Sequence, residues 1–557
     1  MNEQLLILSW LLPLLAAPLA VFNRQWPVSL AAVPALITAF YVPAGTTQQI
    51  PWLFLESQFG LDHIASIFLM FSSVLWFIAG LQAELTMRKE PHWPRFRFFF
   101  LLAMAGNFWL IVGQDMVNFY LGFSLMGLSA YALVIHSASS DSLFAGRVYL
   151  VMTLFAESAL LAGFLFIYSH TGSLAPVAGQ LAGIGNWAIG LLILGLGIKA
   201  GLIFLHVWLP LAHPAAPVPA SAVLSGAMIK VALLGWVRYL PIGQETLLEW
   251  GSLLILLGTV SILFAAAAGL VQTNAKAVLA YSSISKMGLM SALVGLAMLA
   301  PKHAEAIIMS MIFFAAYHGL AKGALFLGVG IVKTLHSKLT FILLLLPALV
   351  LAGAPYTSGS MAKTLIKPAF NQLPAQWPEI FVVILLLSSF ATAMLMVRFL
   401  VLMKQGLTKQ EQPSDQSSII ALPWIGLIAL ILLMPFVVDR SFSAVIDSWP
   451  LAVVLISTFL LLYFRPPWLQ ALPGSIPAGD LLFPVMKLSI LTGLWLQAMI
   501  NWISQRNETF IFLLKNNFSY PVRQQRYPLE SNLSTWRIAG LLITSLVCFL
   551  WLLMWLT

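Results

Sequence analysis

Long apolar runs separated by short polar segments dominate the pattern along this chain of 557 residues. About 20 apolar residues cross the ~30 Å hydrocarbon core of a bilayer as one α-helix. About 16 or 17 runs reach that length, namely 4–22, 27–43, 59–83, 98–113, 116–136, 148–169, 183–209, 218–240, 250–271, 277–299, 305–332, 340–366, 378–403, 418–438, 449–464, 482–503 and 536–556. The pattern therefore predicts an all-α polytopic membrane protein.

Composition narrows the classes of protein that fit. Hydrophobic residues make up 60% of the chain and charged residues 8%, against about 25% charged residues in a soluble domain. The net charge of +9 could suit nucleic acid in a soluble protein, but here the basic residues lie in short loops between apolar runs. We therefore expect a lipid bilayer as the environment and no nucleic-acid partner.

Cofactor chemistry finds no support in the sequence. The single cysteine, Cys548, excludes a disulfide framework, a cysteine-ligated zinc site and an iron–sulfur cluster. The histidines lack HExxH-type spacing, and "GLGIKAG" lies inside a predicted span rather than after a strand. We therefore expect no metal, no cofactor and no catalytic centre of the chain's own.

Loop charges predict the orientation. Lysines and arginines concentrate in alternate loops, whereas loops 44–58 and 170–182 contain none. The positive-inside rule then places the N-terminus outside. The first apolar run has no Lys or Arg before it, so it fits a first span better than a signal peptide. Residues 504–535 are polar with one short apolar stretch, which favours an interfacial segment before a final span.

Several ionisable residues lie at membrane depth, where each costs at least ~2.5–3.5 kcal/mol. Glu157, Lys199 and Lys230 fall deep inside predicted spans. His318 and Lys322 lie one helical turn apart and share a face. A proton path is the functional interpretation of this set, and structural ion pairs are the alternative.

Three further candidates lie beside Gly/Pro-rich interruptions. Lys363 follows "LAGAPYTSG" and could instead extend to the interface. His206 and His213 flank "WLPLAHPAAPVP", where they could bond freed carbonyls or relay protons. We keep both interpretations for the two histidines.

The ionisable residues recur along the chain. Glu157 and Lys199 find counterparts in His318 and Lys363, at offsets of 161 and 164 residues, and Lys199 and Lys363 each lie next to an interruption. Paired interrupted helices in two halves of a chain indicate an inverted-repeat transporter. An interruption frees backbone groups and admits water, which makes a lysine tolerable at that depth.

These motifs resemble a known family. "KAGLIFLHVWLPLAHPAAPVPASAVLSGAMIKVALLGWVR", "LAYSSISKMGLM" and "HGLAKGALFLGVG" resemble, in order and spacing, the antiporter-like proton-translocating subunits of respiratory complex I. The resemblance covers roughly residues 60–405. "HVWLPLAHPAAP" is closest to the large membrane subunit of hydrogenase-4 and formate hydrogenlyase complexes, whereas complex I subunits more often have "LPDAME" there.

The resemblance implies two inverted five-helix repeats with helices 7 and 12 broken. It divides the chain into N-terminal helices 1–3 (1–97), a first half of helices 4–8 (98–240), a second half of helices 9–13 (250–403) and C-terminal helices (404–557). It assigns Lys199 as the central helix 7 lysine, Lys230 as the helix 8 connecting lysine, His318 with Lys322 as the helix 11 bridge, and Lys363 to the exit half-channel.

One departure concerns helix 5. The family usually has a glutamate there, within a "WE" motif, that pairs with the helix 7 lysine. This sequence has Ser124, preceded by Phe123. A serine cannot carry the charge, so either Glu157 has taken that role or the half-channel is weakened.

The resemblance implies a proton-translocating, alternatively sodium-translocating, subunit of a membrane redox complex in a bacterial inner membrane. Its partners would be other membrane subunits and a peripheral redox module. The alternatives are a structural or coupling subunit that does not pump, which Ser124 favours, and the membrane partner of a two-component inorganic-carbon uptake system. The wording "HVWLPLAHPAAP" argues against the last of these.

Overall fold

The computed structural model describes residues 2–22, 26–370, 377–408, 418–438, 449–464 and 476–480. The predicted spans 482–503 and 536–556, the interfacial segment 504–535 and Cys548 lie outside the described residues. The helices are α1 Asn2–Phe22, α2 Val33–Tyr41, α3 His63–Met87, α4 Trp93–Val112, α5 Met116–Val134, α6 Ser140–Thr171, α7 Asn186–Ala200, α8 Trp208–Ala215, α9 Val218–Gly226, α10 Val231–Tyr239, α11 Leu248–Leu270, α12 Ala275–Leu299, α13 Ala304–Leu335, α14 Lys338–Ala352, α15 Ser358–Phe370, α16 Trp377–Thr408, α17 Leu422–Val438 and α18 Trp449–Phe464.

The helices have the length and composition of membrane spans. Within the described ranges, eleven helical segments are long and apolar enough to cross a bilayer, and three shorter apolar helices accompany them. Large side chains such as Leu256, Leu263 and Phe155 are exposed on the outer faces of these helices. An apolar exterior is stable in lipid and not in water. The chain is therefore an all-α multi-pass membrane protein.

A small β-hairpin occupies the predicted loop 44–58. Strand β1 (Thr46–Ile50) pairs antiparallel with β2 (Ser57–Leu61), with Thr46 opposite Leu61. Phe59 and Leu61 are buried, because the second strand closes over the helix ends. Helix α3 consequently begins at His63, and the Asp62 carboxylate accepts a hydrogen bond from the Ala65 amide as its N-cap.

The predicted membrane-spanning helices (spans) 7 and 12 are both broken: span 7 consists of α7 and α8, and span 12 consists of α14 and α15. The two breaks share one local geometry. Helix α7 ends at Gly201 (φ 72°), and three residues later Phe204 has φ 69°. Helix α14 ends at Gly353 (φ 79°), and three residues later Tyr356 has φ 60°. Glycine adopts left-handed φ without a Cβ clash, so it ends a helix readily. The two interruptions thus repeat an Ala-Gly-x-x-aromatic pattern.

The proline cluster does not form the break in span 7, although the sequence favours that interpretation. It follows the break along the chain. The break spans residues 201–207, before α8, and the prolines follow it. Pro210 occupies the first turn of α8, where its missing N–H costs little, and Pro217 and Pro219 begin α9. The prolines therefore mark the turn from span 7 into span 8, and Gly201 makes the break.

The positions of the breaks fit an inverted repeat. The first group of five spans is α4, α5, α6, α7 with α8, and α9 with α10; the second is α11, α12, α13, α14 with α15, and α16. In each group the fourth span is broken at a left-handed glycine followed three residues later by a left-handed aromatic residue. Because five is odd, the second group begins on the opposite side of the membrane from the first. The boundaries assigned to the two halves remain a prediction.

Candidate functional site

Lys199 lies at the membrane-embedded end of α7. It is the second-last residue of that helix, and its side chain is 4% exposed. The unpaired carbonyls at a helix C-terminus favour a cation. The break frees several of these carbonyls, and the Trp208 indole donates to the Ile198 oxygen at 2.9 Å. The sequence therefore places a lysine where the broken helix stabilises positive charge.

Aromatic groups surround the Lys199 ammonium. Its Nζ lies 3.4 Å from the Tyr149 hydroxyl oxygen and 5.6 Å from the centre of the Phe123 ring. Tyr149 donates its own hydroxyl hydrogen to the Gly127 carbonyl at 3.0 Å. Lys199 makes no salt bridge to any carboxylate of the described residues. Its partners are a hydroxyl and two rings.

Glu157 is the carboxylate near this lysine. It is buried on the face of α6 that also holds Tyr149, and Lys199 acts on it electrostatically. Ser124 of α5 lies beside Glu157, close enough to act on its carboxylate. One carboxylate oxygen of Glu157 has no hydrogen-bond partner among the described residues. The structure thus brings Glu157, Ser124 and Lys199 together, as the helix 6 alternative requires.

Lys230 lies in an irregular turn. The helix of span 8 is interrupted by a 3-10 turn, Met228–Lys230, between α9 and α10. The fully buried ammonium donates to the Ser225 carbonyl, which the irregular turn leaves available. Sequence alone indicated the depth of this lysine but not the turn.

A close helix contact brings span 8 against α13. A Cβ at Gly226 would lie 2.7 Å from the Gly319 carbonyl oxygen, so a larger residue would separate α9 from α13. Gly226 precedes Lys230 by four residues, and Gly319 follows His318. The contact therefore places the ionisable groups of the two halves side by side.

His318 and Lys322 face the interior from α13, and both are fully buried. Lys322 donates to the Leu279 carbonyl at 2.8 Å. Neither ring nitrogen of His318 has a hydrogen-bond partner among the described residues. The charges acting on His318 come from Lys230, Lys322 and Lys286. The His318 imidazole therefore lies near the side-chain amines of three lysines.

Lys286 is a site residue that the sequence interpretation did not select. It lies in the middle of α12, 1% exposed, with its ammonium 3.1 Å from the Ser388 hydroxyl and 5.5 Å from the centre of the Phe314 ring. Lys363 lies close enough to act on it electrostatically. The signal was present, because the depth criterion that selected Lys230 applies equally to "SSISKMG".

Lys363 lies after the second break. It is on α15, buried, and its side chain extends back to Gly353, where a Cβ would lie 3.0 Å from its Cε. An extension to the membrane interface is therefore not observed. Lys199 and Lys363 each contact the break of their own half, one before it and one after it.

Asp480 is a second residue that sequence reasoning missed. Its carboxylate lies 3.3 Å from His206 Nε2 and accepts a hydrogen bond from the Tyr281 hydroxyl at 2.7 Å. His206 belongs to the first break, 274 residues earlier. This contact gives His206 a carboxylate partner rather than a freed backbone carbonyl. A separation that long leaves no local pattern in the sequence.

His213 connects the proline turn to the amines. It is fully buried and stacks on the Phe326 ring at 4.5 Å, and neither ring nitrogen has a hydrogen-bond partner among the described residues. Lys276, Lys322 and Lys230 act on it electrostatically. Both ring nitrogens are therefore without a hydrogen bond in the described structure. A proton relay requires ring nitrogens that can exchange protons.

A cavity of about 540 Å³ opens beside this turn. Its lining includes Lys276, Gln82, the proline segment 214–219, Glu90 and His136. Both amide atoms of the buried Gln82 lack hydrogen-bond partners among the described residues. Burial lowers the pKa of His136, although the Glu90 carboxylate 3.4 Å away opposes the shift. The cavity thus combines unpaired polar groups with titratable ones.

The site consists of two groups of residues. The first, the carboxylate group, is Glu157, Lys199, Ser124, Tyr149 and Phe123. The second, the amine row, is Lys230, His213, His318, Lys322, Lys286 and Lys363. Among the described residues no cluster of three His, Cys, Asp or Glu side chains is arranged to hold a metal ion. Carboxylate, amine and imidazole side chains can gain, lose and transfer protons.

A family comparison identifies the group of proteins to which the chain is related. The family described as "NADH:quinone oxidoreductase/Mrp antiporter, TM" matches residues 113–392, about half of the chain. That range contains every residue of both groups.

Curated relatives match over a similar length. One in Staphylococcus saprophyticus, whose name proposes it as antiporter subunit mnhA2, is 31% identical over 353 residues, covering 57% of this chain and 44% of the relative. A relative in Staphylococcus aureus strain MRSA252 with the same name is 28% identical over 381 residues, covering 62% and 46%. The match thus spans less than half the length of either relative.

Solved structures share the fold. The Mrp complex from Dietzia sp. DQ12-45-1b contains a chain with a TM-score of 0.73 at 18% identity, covering 93% of this chain and 64% of that one. A chain of the membrane-bound sulfane sulfur reductase, an archaeal respiratory membrane complex, gives a TM-score of 0.65 at 22% identity, covering 82% and 99%. At these identities the likeness concerns the fold.

Proposed function

Because this chain belongs to the NADH:quinone oxidoreductase/Mrp antiporter family of membrane subunits, we propose that it translocates protons within a multi-subunit membrane complex. Sodium ions are the alternative cargo. The complex proposed is a redox complex of the hydrogenase-4 and complex I type, in which a peripheral module performs electron transfer. The chain itself supplies the proton path.

The observation that carries the proposal is the buried amine row. Lys230, Lys322 and Lys286 are 0–1% exposed, and two of them bond only backbone carbonyls in the described structure. Insertion of each lysine at this depth costs at least ~2.5–3.5 kcal/mol. A structural pair would offset that cost with a carboxylate, yet none forms a described salt bridge with these amines. Proton transfer gives the unpaired amines a function.

Coulomb repulsion couples neighbouring amines of the row. Neighbouring amines act on one another, as Lys230 and Lys286 do on Lys322. A proton added at one amine therefore raises the energy of a proton on the next. A change of charge at Glu157 would alter Lys199 first, and a conformational change in a partner subunit could drive it. This coupling is the mechanism we propose for translocation.

The cavity at the proline turn is the proposed access route to the row. It reaches Lys276 and the residues beside His213, and it adjoins the basic loop near 88–97. The positive-inside rule assigns that loop to the cytoplasm, with the N-terminus outside. The proposed location is the inner membrane of a bacterium.

Reconstitution of the complex tests the proposal. Lys199→Ala should abolish coupled proton movement into proteoliposomes while leaving assembly intact, because Lys199 links Glu157 to the broken helix. Lys302→Ala is the matched control, since Lys302 is an exposed lysine in a turn. Normal proton pumping by the Lys199→Ala complex would rule out the transport role. A sodium-dye measurement in the same vesicles separates the two cargoes.

Partners are tested by purification in mild detergent. A hydrogenase module or quinone-reducing module that co-purifies with the chain would support the redox-complex assignment. The Mrp complex and the respiratory membrane complex of the comparisons support other membrane subunits as partners. A zinc-containing partner without redox subunits would contradict the assignment.

A structural or coupling subunit that does not pump is the second candidate. Ser124 in place of a helix 5 acid favours it, as does the absence of a salt bridge between Glu157 and Lys199. This candidate predicts that Lys199→Ala changes the complex's stability but not its proton movement. The reconstitution described above therefore discriminates between the two.

A further inference from the structure

The Lys199 ammonium lies against aromatic rings rather than against the nearest carboxylate. Its Nζ is 5.6 Å from the centre of the Phe123 ring and 5.8 Å from that of Tyr149. Cations within about 6 Å of a ring centre are attracted by the ring quadrupole, more strongly when desolvated. Phe123 and Tyr149 are each 1% exposed, so water does not screen the contact.

Tyr149 is fixed in place by its own hydrogen bond. Its hydroxyl donates to the Gly127 carbonyl, so the hydroxyl lone pair remains directed to the Lys199 ammonium. The ring packs edge-on against Trp208 of α8, on the far side of the break. Tyr149 therefore contacts both parts of the broken helix 7 through Lys199 and Trp208.

Glu157 lies two turns along α6 from Tyr149 and keeps an oxygen without a described partner. A Cβ at Gly127 would lie 3.1 Å from that oxygen, so Gly127 leaves the space that Glu157 occupies. The same glycine thus accepts from Tyr149 through its carbonyl and makes room for Glu157. Gly127 therefore contacts both alternative partners of Lys199, which are Tyr149 and Glu157.

We propose that Phe123 and Tyr149 form an aromatic holding site for the Lys199 ammonium, from which the side chain moves to Glu157 to transfer its proton. The transfer breaks one N–H bond of Lys199 and forms one O–H bond on Glu157. It leaves a neutral amine and a neutral carboxyl group, so no net charge is created. Phe123 and Tyr149 act through Lys199 and are positioning residues. This inference rests on the proposed function.

The ring quadrupole can be changed without changing the shape of the side chain. We replace Phe123 by phenylalanines with one, two and three ring fluorines, each of which weakens cation attraction. The initial rate of proton uptake into proteoliposomes should fall stepwise, by about tenfold across the series. The same series at Phe119 is the control for fluorination within this aromatic cluster, because Phe119 stacks on Phe123 and packs on Phe164 and Tyr239 but lies over no cation in the described structure.

The hydroxyl is tested separately. Tyr149→Phe keeps the ring and removes the acceptor for Lys199, and it should lower the rate by about tenfold. Tyr239→Phe is the matched control, since Tyr239 is equally buried and its hydroxyl has no partner among the described residues. Co-purification of the partner subunits measures assembly for every variant.

Two results would overturn the holding site, and they are distinguishable. If Lys199→Ala abolishes transport while fluorination of Phe123 and Tyr149→Phe leave the rate unchanged, the holding site is wrong and the proposed function stands. If Lys199→Ala leaves transport unchanged, the proposed function fails and the holding site fails with it. A stepwise loss at Phe123 but not at Phe119 supports the proposal.

Discussion

Replacement of Lys286 by methionine should separate stability from transport. Methionine has a similar length, fills irregular space and carries no charge. A lysine at this depth costs ~2.5–3.5 kcal/mol. Its bond to the Ser388 hydroxyl returns about 1.5–3 kcal/mol, because hydrogen bonds to charged groups are the stronger ones. The balance is about 1 kcal/mol in favour of methionine.

The structure therefore predicts an unchanged or slightly raised melting temperature for Lys286→Met. Proton transport should nevertheless fall by about 100-fold, the contribution typical of a lost proton-transfer group. The assay combines thermal unfolding of the detergent-solubilised complex with proton uptake into proteoliposomes. Ser388→Ala is the control, because it removes the hydroxyl contact and keeps the lysine.

Two outcomes would refute this reasoning. Transport at the wild-type rate in Lys286→Met would exclude the lysine from the path. A melting temperature lowered by many degrees would instead show that the ammonium holds α12 and α16 together, as a structural residue does.

Two further predictions concern the carboxylate group and the cavity. Glu157→Gln should abolish most transport, and adding Ser124→Glu should restore it, because Ser124 lies beside Glu157; no recovery in an assembled complex would contradict this. In a Cys548→Ser background, Gln82→Cys should react with a charged membrane-impermeant thiol reagent, since Gln82 lines the cavity. Ser72→Cys, buried on the same helix, should not react; equal reactivity would show that the cavity is not a distinct water route.

The helix breaks could be predicted from the sequence, but their positions could not be predicted closely. Gly/Pro-rich stretches indicated interruptions near Lys199 and Lys363. The prediction relied on proline because proline cannot continue a helix, yet proline is tolerated in the first turn of one. Gly201 ends α7, in the left-handed conformation that glycine alone adopts at little cost.

The candidate site could be predicted in part. Lys199, Lys230, His318 and Lys322 were identified by depth in the membrane and Lys363 by the interruption before it. All five are buried. Depth alone also applied to Lys286, which was not selected although its segment "LAYSSISKMGLM" carries part of the family resemblance. Asp480 could not be found at all, because its contact with His206 depends on the tertiary fold.

The β-hairpin illustrates a different limit. The large apolar residues of 44–58 lie together at 50–55, mainly in the connection between the strands, whereas β1 itself reads Thr-Thr-Gln-Gln-Ile. No alternating pattern therefore indicates a strand pair. Phe59 becomes buried by stacking on Trp10 at 5.6 Å, a contact between segments 49 residues apart. Context of that kind overrides local propensity in strands more than in helices.

Lys230 offers the most direct test of a continuous proton path. It lies one helical turn after Gly226, at the contact of span 8 with α13, and it acts electrostatically on His318 and Lys322. Proton uptake should be measured in proteoliposomes that contain the complex with Lys230→Met. A continuous path predicts an assembled complex in which uptake is lost. Uptake at the wild-type rate would contradict the path.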